Sequence, residues 1–540
     1  MPIVDQSASA VRPPPGPAAF DAAGIAAAAH SIRAPLWLVR DDQRQRIGVV
    51  VGATDQADQA SLPTSGSTVV AALPPLFPEW LGDRMFGEVH GARFPYVVGE
   101  MANGLTTVQA VVAAARAGFI GFFGAAGLTP DRVAAAIAEL QQALGDRTPW
   151  GSNLIHSPHE PAIEAAIVEL YLRHQVRRVC ASAYVALTPG LVRFAATGLR
   201  LDPRGRVLRR NHLFAKISRP EVARLFMAPA PANLLDALVA AGQLDRAEAE
   251  LAARVPVAED ITVEADSGGH TDNRPLNVIF PVIAALRDEI TAAHGYDRPI
   301  RVGAAGGLGT PAAVASAFAL GASYVLTGSI NQSAVESGLG ATGKRLLAQA
   351  SLSDVMMAPS ADMFELGGRV QVLRRGTLFG SRAQHLLDLY HAHDSIETIP
   401  VAERHKLETD VFRLPLDQVW AETERFWSER DPHQVARATV DAKHKLALIC
   451  RWYLGRSSRW AIDDDSGRVA DFQIWCGPAM GAFNDWVRGS FLEDLAQRTV
   501  PQIGRNLLEG AAVITRAQTL RSLGLAVAPA AFQFRPRPLG

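Results

Sequence analysis

From residue 96 onward, short apolar runs alternate with longer Ala-rich stretches of helical period. The runs are YVVGEM (96–101), FIGFFG (119–124), WGSNLI (150–155), RRVCAS (177–182), LFAKIS (213–218), ITVEAD (261–266), IRVGAA (300–305) and YVLTGS (324–329). Most are continuously apolar instead of alternating, the pattern of parallel strands buried on both faces. The stretches between them carry helix signals. Thr106 or Thr107 caps VQAVVAAARA and Gly118 stops it. Thr129-Pro130-Asp131 opens DRVAAAIAELQQAL, and Thr310-Pro311 sets an N-cap before a first-turn proline. Eight such units over roughly 240 residues fit a (β/α)8 barrel. A doubly wound sheet is the alternative, and it usually needs fewer strands.

The pattern changes at both ends of this rhythm. Residues 1–33 are rich in Ala and Pro and read as a disordered tail. LWLVRDDQRQRIGVVVGA (36–53) reads as a hairpin inside a small β-containing segment, 34–92. The barrel is assigned to 93–385. Within it the fifth connection (219–260) is long and helical, and a long loop at this end of a barrel is usually functional. Beyond it, DQVWAETERFWSERD and VARATVDAKHKLALICRWYLG are amphipathic, so 386–540 reads as a mostly helical subdomain. The expected class is therefore α/β: a TIM barrel, a helical C-terminal part and a small N-terminal β segment. The tryptophans of the C-terminal part (Trp420, Trp427, Trp452, Trp460, Trp475, Trp486) read as core packing.

Composition narrows the class of partner. Lys+Arg is 53 and Asp+Glu is 54, which gives no electrostatic reason to expect nucleic acid or an anionic membrane. No apolar run approaches the ~20 residues that span a bilayer. The N-terminus lacks a basic region followed by an apolar core, so no signal peptide is expected. The three cysteines lie far apart without a CxxC, which suits a cytoplasmic protein with no structural zinc. His156-Ser-Pro-His159-Glu160 and His391-Ala-His393-Asp394 match no metal spacing, and no metal is expected.

The sharpest chemistry lies in two glycine-rich turns, Gly303-Ala-Ala-Gly306-Gly307-Leu-Gly309-Thr310 and Thr327-Gly328-Ser329. They follow strands seven and eight, where barrels commonly hold phosphate groups on backbone N–H donors. Gly307-Leu-Gly309-Thr-Pro-Ala312 also fits a dinucleotide fingerprint. However, six units precede it and the next strand ends without an acidic residue. The second signal is Glu264-Ala-Asp266-Ser-Gly268-Gly269-His270. Two glycines let the backbone pass close to a flat ligand, and a histidine at the mouth suits proton transfer near neutral pH. Asn153 offers an amide near the end of strand three. Lys216 either enters the packed barrel, where it needs an anion, or points outward to a helix carboxylate.

These segments, together with Met101-Ala102-Asn103-Gly104, GFFGAAGL (121–128), GSNLIHSP (151–158), APSADMFELGGRVQVLRRGTLF (358–379) and RWYLGRSSRW … QIWCGPAMGAFNDWV (451–460, 473–487), resemble the PfaD-type trans-acting enoyl reductases of polyunsaturated fatty acid and polyketide synthases. The barrel motifs are shared more widely with nitronate monooxygenases and FMN-dependent enoyl reductases. The resemblance implies bound FMN, NADPH as hydride donor, and a 2-enoyl thioester on an acyl carrier protein as substrate. It implies that Met101, Ala102 and Asn103 lie along the flavin, that Asn153 and Lys216 contact it, and that Asp266, Gly268 and Gly269 form the turn beside the ring. Gly306, Gly307, Gly328 and Ser329 match the phosphate cradle, and His270 matches the residue that faces substrate. The 219–260 excursion and the C-terminal helices would wall the acyl channel and dock the carrier. Arg369, Arg374 and Arg375 are its candidate contacts. The motif GEMANG (99–104) departs from the Gln-Gly-Gly type of turn, which argues against simple nitronate monooxygenase chemistry. The alternatives are a nitronate-oxidising FMN enzyme and a non-catalytic scaffold within a synthase. No G-x-S-x-G acyltransferase elbow is evident, so a stand-alone reductase is expected, with a homodimer as the candidate assembly.

Overall fold

The computed structural model describes residues 17–52, 67–145, 148–158 and 160–540. Eight parallel strands close into a barrel: Tyr96–Val98, Ile120–Phe123, Trp150–Ile155, Arg178–Ser182, His212–Ile217, Asp260–Glu264, Arg301–Ala305 and Val325–Thr327. Each pairs with its sequence neighbours, and Val325↔Tyr96 joins the last strand to the first. All eight predicted runs are present, with ends that differ by at most three residues and with the third run matching at both ends. Buried residues fill the barrel on both faces of the sheet, among them Val97, Phe122, Phe214 and Tyr324 inside the ring. The expected caps form in part: Thr107 accepts from Ala110 N at 3.0 Å and Thr310 from Ala313 N at 3.3 Å.

The closed end of the barrel is plugged by the helix Arg84–His90, which precedes the first strand. Phe86 stacks on Tyr324 at 4.7 Å between centroids. His90 Nε2 lies 3.0 Å from Asp260, whose carboxylate also accepts two bonds from Arg301 at 2.7 and 2.8 Å. His212 packs edge-on against His90. This layer sits at the strands' N-terminal ends, away from the predicted site.

Three expectations are corrected. Residues 1–16 lie outside the described residues, but 17–33, expected in the disordered tail, contain the helix Ala22–His30. Asp21 caps it by accepting from Gly24 N at 2.8 Å, and Ile25, Ala28 and Ala29 bury against Ala517 and Leu520. An alanine-rich sequence carries no charge pattern to mark a helix; here a distant helix supplies its apolar partner. The boundary at 385/386 falls inside the helix Phe379–Ala392. The 219–260 excursion folds as Pro220–Met227, Ala232–Ala240 and Arg246–Ala252, and packs on Pro189–Ala196 and Leu276–His294 of the outer layer. It thickens the barrel wall.

The hairpin of 36–53 forms as Leu36–Asp41 and Arg46–Val51, with Ser67–Leu73 as a third strand; residue 53 lies outside the described residues. Arg516 holds this segment in place through the carbonyls of Ser31, Ala34 and Pro74. Its helix, Val500–Ser522, also lies along the barrel helices Val108–Arg116 and Pro311–Ala319. Between these parts, a second apolar cluster joins Phe379–Ala392 to the helix Ala442–Asp463.

Candidate active site

The loop after strand six turns back as a two-residue strand, Gly269–His270, which pairs with Arg369–Leu373 in an antiparallel ladder. Arg369–Leu373 pairs in turn with Val355–Pro359. This hairpin fixes the histidine and delivers its partner: His270 Nε2 lies 3.2 Å from Asp362 Oδ1. The imidazole is 34% exposed, so it is both held and accessible. Burial lowers its pKa, but the hydrogen bond and charge of Asp362 outweigh burial, and the net shift is upward. For Asp362, half exposed, desolvation at the mouth is outweighed by the bond to His270 and the charge of that imidazole, and its pKa falls to about 2. Asp266 accepts from Gln371 Nε2 at 2.7 Å and from Asn273 Nδ2 at 2.9 Å, which stiffens the turn.

The two glycine turns follow adjacent strands, the seventh and eighth of the barrel. At Gly307 φ is +72° and at Gly306 +86°, a conformation that glycine adopts readily. Gly307 and Gly328 face open space where a Cβ would sit. The N–H groups of Gly307, Leu308, Ser329 and Ile330 meet no acceptor among the described residues. Uncommitted donors on an open glycine surface suit the oxygens of a phosphate. A third segment, missed in the sequence, closes the cradle. Gly477 N donates to Ser329 Oγ at 3.1 Å, Cys476 N donates to Gln371 O at 3.2 Å, and Gln332 donates to the Trp475 carbonyl. Gly268 fits tightly here: a Cβ would stand 2.8 Å from both Cys476 N and Ser329 Oγ. Trp475 lies beside Gly269.

Lys216 enters the barrel, and its partners are strand-end carboxylates, not a helix carboxylate. Its Nζ lies 2.9 Å from Glu100 and 3.3 Å from Glu264, at the ends of strands one and six. Asn153 is buried on strand three, and its amide donates to the Cys180 carbonyl at 3.1 Å and to Ser182 Oγ at 2.7 Å. Those bonds use its hydrogens and leave its carbonyl for any ligand. Met101 is buried beside the mouth, its N–H held by Thr106 Oγ1 at 2.9 Å, with Ala102 next to it. Asn103 turns away: at φ +58° its amide points toward Ser458, 3.4 Å off, on the C-terminal helix. Arg369, Arg374 and Arg375 are tied to Met357, Ser353 and Asp354 respectively.

Glu100, Asp362, Gln371 and the 475–477 turn are the residues that sequence reasoning missed. Asp362 and Gln371 stand in the motif APSADMFELGGRVQVLRRGTLF, but no spacing rule links them to His270, which lies 92 positions before Asp362. His156 stacks on Tyr184, and His159 lies outside the described residues. The only grouping of metal-ligand types among the described residues is His90, His212 and Asp260 at the closed end, where Arg301 already occupies the carboxylate.

The chain is a closed parallel barrel with uncommitted glycine-turn N–H groups and a carboxylate-held histidine at one mouth, an arrangement suited to a phosphate-bearing ligand. Residues 86–373 match the nitronate monooxygenase family, and the chain belongs to that family. Residues 393–472 match the inserted helical domain of [acyl-carrier-protein] S-malonyltransferase. The chain is 36% identical to the enoyl reductase domain of MlnA from the macrolactin biosynthesis cluster of Bacillus amyloliquefaciens, with a TM-score of 0.79, covering 82% of this chain and 99% of that one. It is 43% identical over 466 residues to one of the polyunsaturated fatty acid synthase subunits of Thraustochytrium sp., covering 84% of this chain and 31% of that protein. It is 42% identical over 436 residues to polyketide biosynthesis protein PksE of Bacillus subtilis, covering 81% of this chain and 56% of that protein. The chain thus spans about a third to a half of these two curated relatives.

Proposed function

We propose that this chain is an FMN-dependent enoyl reductase that takes hydride from NADPH and reduces the 2,3 double bond of enoyl thioesters on an acyl carrier protein. The carrying observation is the meeting, at one mouth, of the orphaned N–H cradle and the Asp362-held His270, in a chain similar to a solved enoyl reductase domain over 99% of that domain. FMN fits the residues present. Gly306, Gly307, Gly328 and Ser329 would hold its phosphate, with Gly477 closing the cradle. Met101, Ala102, Asp266, Gly268 and Gly269 would border its ring, and Asn153 and Lys216 would meet its polar edge. When bound, FMN supplies the hydride transfer that no side chain here can perform.

His270 then has a defined task. Hydride addition at the β-carbon pushes negative charge onto the thioester oxygen, and a donor placed there lowers the barrier. A protonated imidazole does this and can give its proton to the α-carbon. Asp362 keeps it protonated to higher pH and fixes which nitrogen faces the mouth. The 393–472 helices, similar to part of a carrier-protein transacylase, support a carrier as partner. Three unpaired, buried cysteines suit work in a reducing cytoplasm.

Anaerobic stopped-flow measurement tests this reading. NADPH should bleach the flavin band of the yellow protein, and a crotonyl thioester on carrier protein should restore it. Reduction by a nitroalkane with NADPH inert would establish the nitronate reading instead. Full synthase output from His270→Ala would establish a scaffold.

A further inference from the structure

The Glu100–Lys216–Glu264 cluster has an unbalanced charge. Strands one and five stand opposite each other in the barrel order, so Lys216 reaches Glu100 across the interior. Its ammonium faces two carboxylates, at 2.9 and 3.3 Å, and no other cation lies within 4 Å of either among the described residues. All three side chains are largely buried, Glu100 being 4% exposed. Beyond the Lys216 ammonium and the Cys180 thiol, Glu100 has no polar partner, and Glu264 adds to Lys216 only a long bond, 3.3 Å, from Ser267 Oγ. Fully ionised, the cluster would bury one uncompensated negative charge, which a low-dielectric interior strongly disfavours. Binding one proton removes that charge.

We propose that this cluster stores one exchangeable proton, held at Glu264, at neutral pH. Burial raises the Glu264 carboxyl above its ordinary value, and Glu100 raises it further against the pull of Lys216. The other titratable groups facing the cluster do not supply the missing charge. Cys180 on strand four is held neutral by burial, and His270 is engaged by Asp362. The stored proton lies next to Ser267, three residues before His270. It leaves the floor of the mouth electroneutral and provides a reserve acid there. Whether the mouth reduces enoyl thioesters bears only on how that proton is used; its presence is read without turnover.

Infrared difference spectroscopy of the purified holoprotein at neutral pH tests this. The wild type should show the C=O stretch of a protonated carboxyl, shifted in heavy water. Glu264→Gln should abolish it. Glu100→Gln should abolish the same band although Glu264 remains, because each surviving carboxylate then has Lys216 to itself. Should either variant fail to fold, titrating the wild-type band is sufficient: it should persist well above the ordinary glutamate range. Absence of the band in the wild type at neutral pH, or its survival in both variants, would overturn the proposal.

Discussion

At the scale of the residue, two histidine environments predict opposite pH behaviour. His270 is pushed up by Asp362, so it stays charged to higher pH than a free imidazole. If it acts as the acid, turnover falls as pH rises through that raised value. Asp362→Asn removes the charge, so the falling limb of the pH–rate profile should move to lower pH. Because His270 would still be present, the loss at low pH should be smaller than the ~10²–10⁴-fold expected for His270→Ala. An unmoved limb in Asp362→Asn would separate the carboxylate from the proton transfer. His212, at the closed end, is held well below its ordinary 6.5, first by burial and then by the charge of its neighbour His90. Below 6.5 the unfolded chain therefore binds a proton that the folded chain refuses, and stability declines as pH falls from that value. Thermal melting between pH 7 and 5 should show this decline, and His212→Phe should flatten it. His270 was legible because a Gly-Gly-His run ends a predicted strand. Asp362 was not, since a carboxylate on a distant hairpin reaches it only through ladder pairing.

At the scale of the element, the cradle separates glycines that leave room from glycines that permit contact. Gly328 has φ −119° and no atom near its missing Cβ. Gly328→Ala should therefore change the melting temperature little, within about 0.5 kcal/mol of stability, while placing a methyl group on the proposed phosphate cradle. Flavin retention on dialysis should drop. Gly309 is the contrast: a Cβ there would stand 2.0 Å from the Ala479 carbonyl oxygen. Gly309→Ala should push the C-terminal turn off the barrel and lower the melting temperature of flavin-free protein too. Equal effects of the two substitutions on stability would refute this division. The strand rhythm and caps made the barrel readable, because parallel strands and helix starts carry local signals. The 475–477 turn carries none: its role comes from Ser329 and Gln371, which belong to other elements.

At the scale of the whole molecule, the boundaries drawn from composition were the least legible feature. A change from strand-helix rhythm to amphipathic helices marks where the pattern changes, not where the packing ends. The helix Val500–Ser522 covers two barrel helices, receives the N-terminal helix, and through Arg516 binds three carbonyls of the N-terminal segment. The mouth is likewise assembled from parts beyond 385, since Trp475, Cys476 and Gly477 close it. Arg430 bridges the helix Leu416–Arg430 to Glu160 after strand three, a second tie across the same seam. A chain ending at residue 385 should therefore fail as an isolated barrel. It would cut the helix Phe379–Ala392 and expose the faces of Val108–Arg116 and Pro311–Ala319, a loss far larger than the ~5–15 kcal/mol that holds a domain together. Expression of 17–385 beside 17–540 measures this directly: the shorter chain should aggregate or melt without a cooperative transition and retain no flavin. A soluble, yellow, cooperatively melting 17–385 would show instead that the C-terminal part is an attachment to the site and not a wall of it.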